Sequence, residues 1–188
     1  MSNIIIAGVG GQGTLLASRI IGAVAIKCGY DVKVSEVHGM SQRGGSVITF
    51  VKFDKKVYSP IIDIGEADII LAFEELEALR WISYLNPDGK FIVNTQNIDP
   101  MPVITGAAKY PENIIGTLKE KCKNVLTIDA MKYADEIGNN KVANVVLIGY
   151  MAKHTDIDKE IWVDAIKNTV PQKFVELNVK AFESGYNH

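Results

Sequence analysis

The apolar run Ile4-Ile5-Ile6-Ala7 passes straight into Gly8-Val9-Gly10-Gly11-Gln12-Gly13, and a helical pattern over residues 14–28 starts at the next residue. Strand, glycine loop and helix start are contiguous, which commits this part of the chain to an α/β arrangement with a loop at the carboxyl end of its first strand. Gly8, Gly10 and Gly13 carry the GxGxxG spacing. Glycine there permits a tight turn and close backbone approach, and it leaves amides at a helix N-terminus to meet negative charge. The same glycines also serve plain helix–strand packing, so the motif alone leaves both readings open. Gln12 adds a polar amide at the helix start and tilts the balance towards a site.

A second unusual segment, His38-Gly39-Met40-Ser41-Gln42-Arg43-Gly44-Gly45, closes the next strand. In a parallel sheet both segments emerge along one edge, where ligands of open α/β sheets bind. His38, Ser41, Gln42 and Arg43 crowd four polar side chains between glycines, and the arginine fork suits a carboxylate or phosphate of a ligand or partner. Met40 in so polar a loop is expected to bury against something outside the domain. The plainer alternative is a solvated loop in which Arg43 pairs with a nearby acid and His38 caps a carbonyl. Glu36 stands near the place where dinucleotide folds carry an acid for the ribose, but His-Gly-Met follows it instead of a helix entry, which weakens an NAD reading.

Strand and helix patterns then alternate along the chain. Leu15, Leu16, Ile20 and Val24 mark the first helix, closed by Gly29, and with the strand at 32–37 they predict a βαβ unit. Residues 46–53 read as a strand that Asp54-Lys55-Lys56 turns back into Val57-Tyr58, a short β-hairpin stopped by Pro60. A strand at 68–73, an acidic helix at 74–84 ended by Asn86-Pro87-Asp88-Gly89, and a strand at 90–94 follow. Residues 95–111 carry prolines at 100, 102 and 111, and read as an irregular excursion because Met101, Val103 and Ile104 punctuate it. The remaining pattern is helix 112–122, strand 125–129, and helices 130–137, 142–153, 159–169 and 174–184, the last capped by Gly185. The expected fold is α/β: a three-layer α/β/α, Rossmann-like domain over residues 1–188, with a mostly parallel sheet and one β-hairpin.

Composition narrows the function. A chain of 188 residues with 47% hydrophobic content buries about 70% of its unfolded surface and needs no staple. Twenty basic side chains stand against 22 acidic ones for a net charge of -2, which argues against nucleic acid as a partner. No apolar stretch approaches the ~18 residues that span a bilayer, and no signal peptide pattern precedes the first strand, so a cytoplasmic location is expected. Cys28 and Cys122 read as unpaired thiols; no CxxC spacing offers a cluster or zinc site, and His38, His154 and His188 lack metal-ligand spacing. Glu74, Glu75 and Glu77 favour a helix dipole more than acid–base catalysis. Asn94, Thr95, Gln96 and Asn97 end a strand on the expected functional edge, Asp129 caps a helix, and Trp81 and Trp162 belong to core or interface. No catalytic or metal-ligating residue is expected.

Taken together, GVGGQG, the spacing to EVHGMSQRGGSV and the following VYSPxI resemble the gamma-type subunit or domain of 2-oxoacid:ferredoxin oxidoreductases. Val93-Asn94-Thr95, Ala143-Asn144, Val170-Pro171-x-Lys173 and Glu176-Leu177-Asn178 through Ala181-Phe182 to Gly185 are most similar to the small (beta) subunits of the indolepyruvate branch. The resemblance covers nearly the whole chain and is strongest before Pro60. It implies a multi-subunit enzyme that decarboxylates a 2-oxoacid on thiamine diphosphate, with pyruvate, branched-chain and 2-oxoglutarate substrates all open, and passes electrons through iron–sulfur clusters to ferredoxin, releasing an acyl-coenzyme A. This chain lacks the cluster cysteines and a GDG…N motif, so thiamine diphosphate, Mg and Fe-S clusters are expected on a larger partner subunit, with coenzyme A as co-substrate. The glycine loop, Glu36 and residues 38–45 would face that partner's active site. Two readings stay open beside it: a free-standing nucleotide-dependent oxidoreductase or nucleotide-binding protein, and a pure assembly module. A homodimer of the isolated chain is a further expectation.

Overall fold

The computed structural model describes residues 2–39 and 44–188. Six strands, β1 (Ser2–Val9), β2 (Asp31–His38), β3 (Ser46–Asp54), β4 (Ala67–Ala72), β5 (Leu85–Asn94) and β6 (Asn124–Ile128), form one sheet in the order β2-β3-β1-β4-β5-β6. The pairings β1·β4, β4·β5 and β5·β6 are parallel, whereas β3 pairs antiparallel with both β1 and β2. Side chains alternate between two cores. Ile4 and Ile6 of β1 face one core with Leu71 and Ile92, while Ile5 faces the other with Ile70 and Phe91. Burial on both faces is why these strands read as continuous apolar runs.

The first core is closed by α1 (Thr14–Lys27), α5 (Ala130–Ile137), α6 (Ala143–Lys153), α7 (Lys159–Thr169) and α8 (Val175–Tyr186), the second by α2 (Glu75–Trp81) and α4 (Ile114–Lys121). The expected three layers are therefore present. Cys28 and then Gly29, at φ +83°, end α1, as a left-handed glycine after a helix does. Asp129 accepts a hydrogen bond from the Lys132 N–H and caps α5.

Three expectations are corrected. β1, α1 and β2 do not make an adjacent βαβ pair, because β3 inserts between the two strands and pairs with each. The short hairpin of residues 46–53 with Val57-Tyr58 does not form either; the hairpin-like partner of β3 is β2. With both edges of β3 taken, residues 55–66 have nothing to pair with and cross the sheet's end irregularly. Val57 and Ile62 are buried there, and the Val57 N–H donates to Asp31 Oδ2 at 3.0 Å. Finally, Gly185 lies inside α8 instead of capping it. A Cβ on Gly185 would stand 1.9 Å from the Val146 carbonyl oxygen, and one on Gly149 2.0 Å from that of Phe182, so the two glycines let α6 and α8 touch backbone to backbone.

The excursion between β5 and α4 contains one short helix, α3 (Met101–Ile104). Buried Glu74 holds it to α2: its carboxylate accepts from the N–H groups of Glu77 (2.9 Å) and Ile98 (3.1 Å) and from the Tyr110 hydroxyl. That is an anchored loop and not a linker between domains.

Candidate functional site

The glycine loop sits at the carboxyl edge of the sheet, between β1 and α1. Gly11 and Gly13 take φ of +103° and +82°, a region that L side chains rarely adopt. Gly8 is needed for closeness: a Cβ there would lie 2.9 Å from Gln12 Oε1 and 3.2 Å from the Phe73 Cβ. The Gln12 side chain holds the loop on the strand ends, with Oε1 accepting from the Val9 N–H at 2.7 Å and Nε2 donating to the Phe73 carbonyl at 3.0 Å and to Gln96 Oε1 at 3.1 Å. Its amide thus has a structural duty at the site. No side chain caps the first turn of α1 and none of its residues is acidic, so the positive end of the helix faces the cleft uncompensated.

The two loops meet as the sequence suggests. The Gly10 N–H donates to the Gly45 carbonyl at 2.8 Å and the Gly44 N–H to the Gly10 carbonyl at 3.4 Å, which extends the β1·β3 ladder beyond the strands. A cleft of about 380 Å³ opens beside this seam, lined by Gly10, Gly11, Gly13, Thr14, Leu15, Glu36, His38 and Val47. Glu36 accepts from the Thr49 hydroxyl across the β2·β3 pair at 3.1 Å, and exposed His38 has Nδ1 3.0 Å from the Gly39 carbonyl oxygen. In a dinucleotide fold the acid ends the strand next to the glycine loop. Here β3 stands between, which moves Glu36 away by one further strand spacing of about 4.8 Å and puts Val47 in the crevice. Met40, Ser41, Gln42 and Arg43 lie outside the described residues.

On the other flank of the glycine loop is a second cleft of about 360 Å³. Its wall includes Asn140, Lys141 and Asn144, from the turn and first residues of α6, together with Gln96. Sequence reasoning assigned no site role to Asn140, Lys141 or Asn144. The one available signal is Asn144 itself, a polar residue inside the otherwise apolar run AlaAsnValValLeuIle. Asn144 Nδ2 donates to the Gly13 carbonyl at 3.3 Å. Asn94 and Gln96, expected on this edge, are there: Asn94 Nδ2 donates to the Phe73 carbonyl at 3.0 Å, and its Oδ1 accepts from the Ala130 N–H at 2.9 Å at the start of α5.

Beneath the rim, buried Glu77 of α2 accepts from the Ser46 hydroxyl at 2.5 Å and lies 3.3 Å from Arg80 Nε. Burial pushes its carboxyl above the ordinary range, against the opposing pull of Ser46 and Arg80, and nearby Glu74 pushes the same way as burial. Glu75 is raised by burial and by Glu74. These acids brace the start of β3 and the first turn of α2, as helix-start residues. Among the described residues no group of three or more His, Cys, Asp or Glu side chains comes together to hold a metal ion, and no helix is long and apolar enough to cross a membrane. Cys28 and Cys122 are free thiols at the ends of α1 and α4.

The sequence pattern of the pyruvate ferredoxin/flavodoxin oxidoreductase family matches residues 3–188. The chain belongs to this family. It is 45% identical over 188 residues to the indolepyruvate oxidoreductase subunit IorB of Pyrococcus horikoshii, covering 97% of this chain and 93% of that one. The pyruvate/ketoisovalerate oxidoreductases common subunit gamma of Pyrococcus furiosus is 30% identical over 182 residues, 95% of this chain and 92% of its own. Among solved structures, the keto/oxoacid ferredoxin oxidoreductase gamma subunit from Geobacter sulfurreducens superposes with a TM-score of 0.73 at 26% identity, over 100% of this chain and 97% of the other. In this family member the paired glycine loops and the two flanking clefts make up the carboxyl edge of the sheet.

Proposed function

We propose that the chain is the small subunit of a 2-oxoacid:ferredoxin oxidoreductase of the indolepyruvate type, acting as one gamma-type domain over residues 1–188 in the cytoplasm. It presents its glycine rim to a larger partner subunit that carries the redox chemistry. One observation carries this reading: the Gly10–Gly45 pairing fuses both loops into a single rim, while the inserted β3 displaces Glu36 from the position a dinucleotide ribose would require. An iron–sulfur cluster asks for four thiolates, and the two cysteines here stand apart on α1 and α4. In this reading the clusters, thiamine diphosphate and Mg all belong to the partner. Ferredoxin is reached through the complex.

For coenzyme A, the residues present fit a phosphate-bearing segment. The uncapped start of α1 supplies amides, Gly11 and Gly13 allow close approach, and Lys141 in the flanking cleft supplies positive charge. Gly8 lets the loop lie close against Gln12 and Phe73, while Gly10, Gly39 and Gly44 belong to the same rim. The chain's own residues bind and orient; the acyl transfer belongs to the complex.

The chain purified alone is expected to reduce no viologen dye with an aryl 2-oxoacid, and co-expression with its larger partner to restore turnover. Arg43→Ala is expected to impair assembly or coenzyme A use. Calorimetric titration of the solitary chain with NAD, NADP, FAD and coenzyme A separates the readings: tight dinucleotide binding, or wild-type turnover by Arg43→Ala, removes the rim from the mechanism.

A further inference from the structure

Gln12, Gln96 and Asn94 join their side-chain amides across the carboxyl edge of the sheet. Gln12 Nε2 donates to Gln96 Oε1 at 3.1 Å, and Asn94 Nδ2 donates to the same oxygen at 3.3 Å. Main-chain groups fix which way round each outer amide stands. The Val9 N–H can only donate and holds Gln12 Oε1, the Ala130 N–H does the same to Asn94 Oδ1, and the Phe73 carbonyl, which can only accept, takes an N–H from each. The second N–H of Gln12 and that of Asn94 therefore both turn to Gln96, which must meet them with its oxygen.

That leaves the Gln96 amide nitrogen on the side away from Gln12 and Asn94. Its N–H groups have no partner among the described residues, and the atom is not an occluded one, since the buried side-chain polar atoms without a partner belong to Asn3, Trp81, His154 and Trp162. Gln96 lines the cleft of about 360 Å³, so a molecule held there can reach this nitrogen. The rest of the wall has the same polarity. Lys141 stands on it, and among the described residues its ammonium makes no ion pair or hydrogen bond. No Asp or Glu lines this cleft, whereas Glu36 lines the neighbouring one. Donors and a cation with no opposing acid suit an anionic oxygen.

We infer that Gln96 is the ligand-contacting residue of this second cleft: its oxygen locks the glycine loop through Gln12, while its amide nitrogen donates to an anionic oxygen of the bound molecule, a phosphate of coenzyme A or the carboxylate of the 2-oxoacid. The assignment deepens the reading of the rim as the ligand edge and rests on it. One amide thereby couples the shape of the loop to the contact with the ligand.

Inorganic pyrophosphate and, separately, phenylpyruvate are titrated into the full chain at neutral pH and low salt. The side-chain amide resonances of Gln96 are followed, with those of Gln172, between α7 and α8, as the internal control. Saturable shifts at Gln96 with Gln172 unmoved are expected, and the probe that produces them names the source of the anion. Gln96→Glu keeps an acceptor for Gln12 and Asn94 but puts a negative charge where the donor was, so it should retain the wild-type unfolding midpoint and weaken that probe at least about ten-fold. In the complex reconstituted with the larger subunit it should raise the KM of the matching substrate by a similar factor with kcat within about two-fold. Lys141→Ala, outside the line of amides, should weaken the same probe. No saturation at Gln96, or wild-type affinity in Gln96→Glu, overturns the assignment; should that variant fail to fold, the wild-type titration and Lys141→Ala decide it. A wild-type complex that turns over no 2-oxoacid would remove the subunit reading, and the titrations of the chain would still decide Gln96.

Discussion

Asn144 and Gly13, 131 residues apart in the chain, are joined at the functional edge: Asn144 Nδ2 donates to the Gly13 carbonyl at 3.3 Å. A Cβ on Gly13 would lie 2.4 Å from that same nitrogen, and φ there is +82°. Gly13→Ala therefore meets both strain and a clash, and is expected to destabilise the chain by roughly 1–3 kcal/mol. Urea unfolding measures that loss. Turnover of the complex reconstituted with its partner should fall at least about ten-fold, since the 360 Å³ cleft wall moves with Asn144. Wild-type values for both would detach this pair from the site.

The crossing of α6 and α8 gives a sharper stability prediction. Adding a methyl at Gly185 drives it against the Val146 carbonyl, a backbone atom that no side-chain rotation can move aside. Gly185→Ala should cost about 3 kcal/mol or more without altering the glycine loops, which lie on other elements. Thermal unfolding of the variant at an unchanged midpoint would show that the helices can separate freely.

Glu77 predicts a pH dependence. Its folded carboxyl titrates above the ordinary value of 4.5, first because of burial. As pH rises through the window between that value and the folded one, the unfolded chain releases the proton first, so this group's contribution to stability declines across the window. Glu77→Gln keeps an acceptor for the Ser46 hydroxyl and removes the titration. Denaturation midpoints measured from pH 4 upward should lose this decline in the variant, and identical profiles would contradict the assignment.

Asp31 works in the opposite sense. The Val57 N–H and then Lys33 hold its carboxyl below the ordinary 3.8, so its stabilisation is present above that value and is lost as pH falls through the lower folded one. Because the Val57 bond ties down residues 55–66, Asp31→Ala should speed proteolytic cutting in that segment at neutral pH. An unchanged digestion pattern would mean that buried Val57 and Ile62 hold the segment by packing alone.

Much of this architecture is legible in the residues. Gly29 after the first helix, Asp129 before the fifth, and the apolar runs of β1, β4 and β5 place their elements from local chemistry, and the two glycine segments mark the carboxyl edge. Asn144 is, by sequence, only a polar residue in an apolar helical run, because nothing local tells which loop a helix start will face. Gly185 reads as a cap by the same local logic, yet it serves a contact with a helix more than thirty residues earlier.

The chain's own pattern was enough to decide that strands and helices alternate and that a glycine loop opens the first helix, since these follow from periodicity and from which residues tolerate a positive φ. Only the tertiary structure decided that β3 enters between β1 and β2, antiparallel to both. Strand order is set by long-range pairing and by two-sided burial of the sheet, and strands buried on both faces carry no alternation from which neighbours could be read.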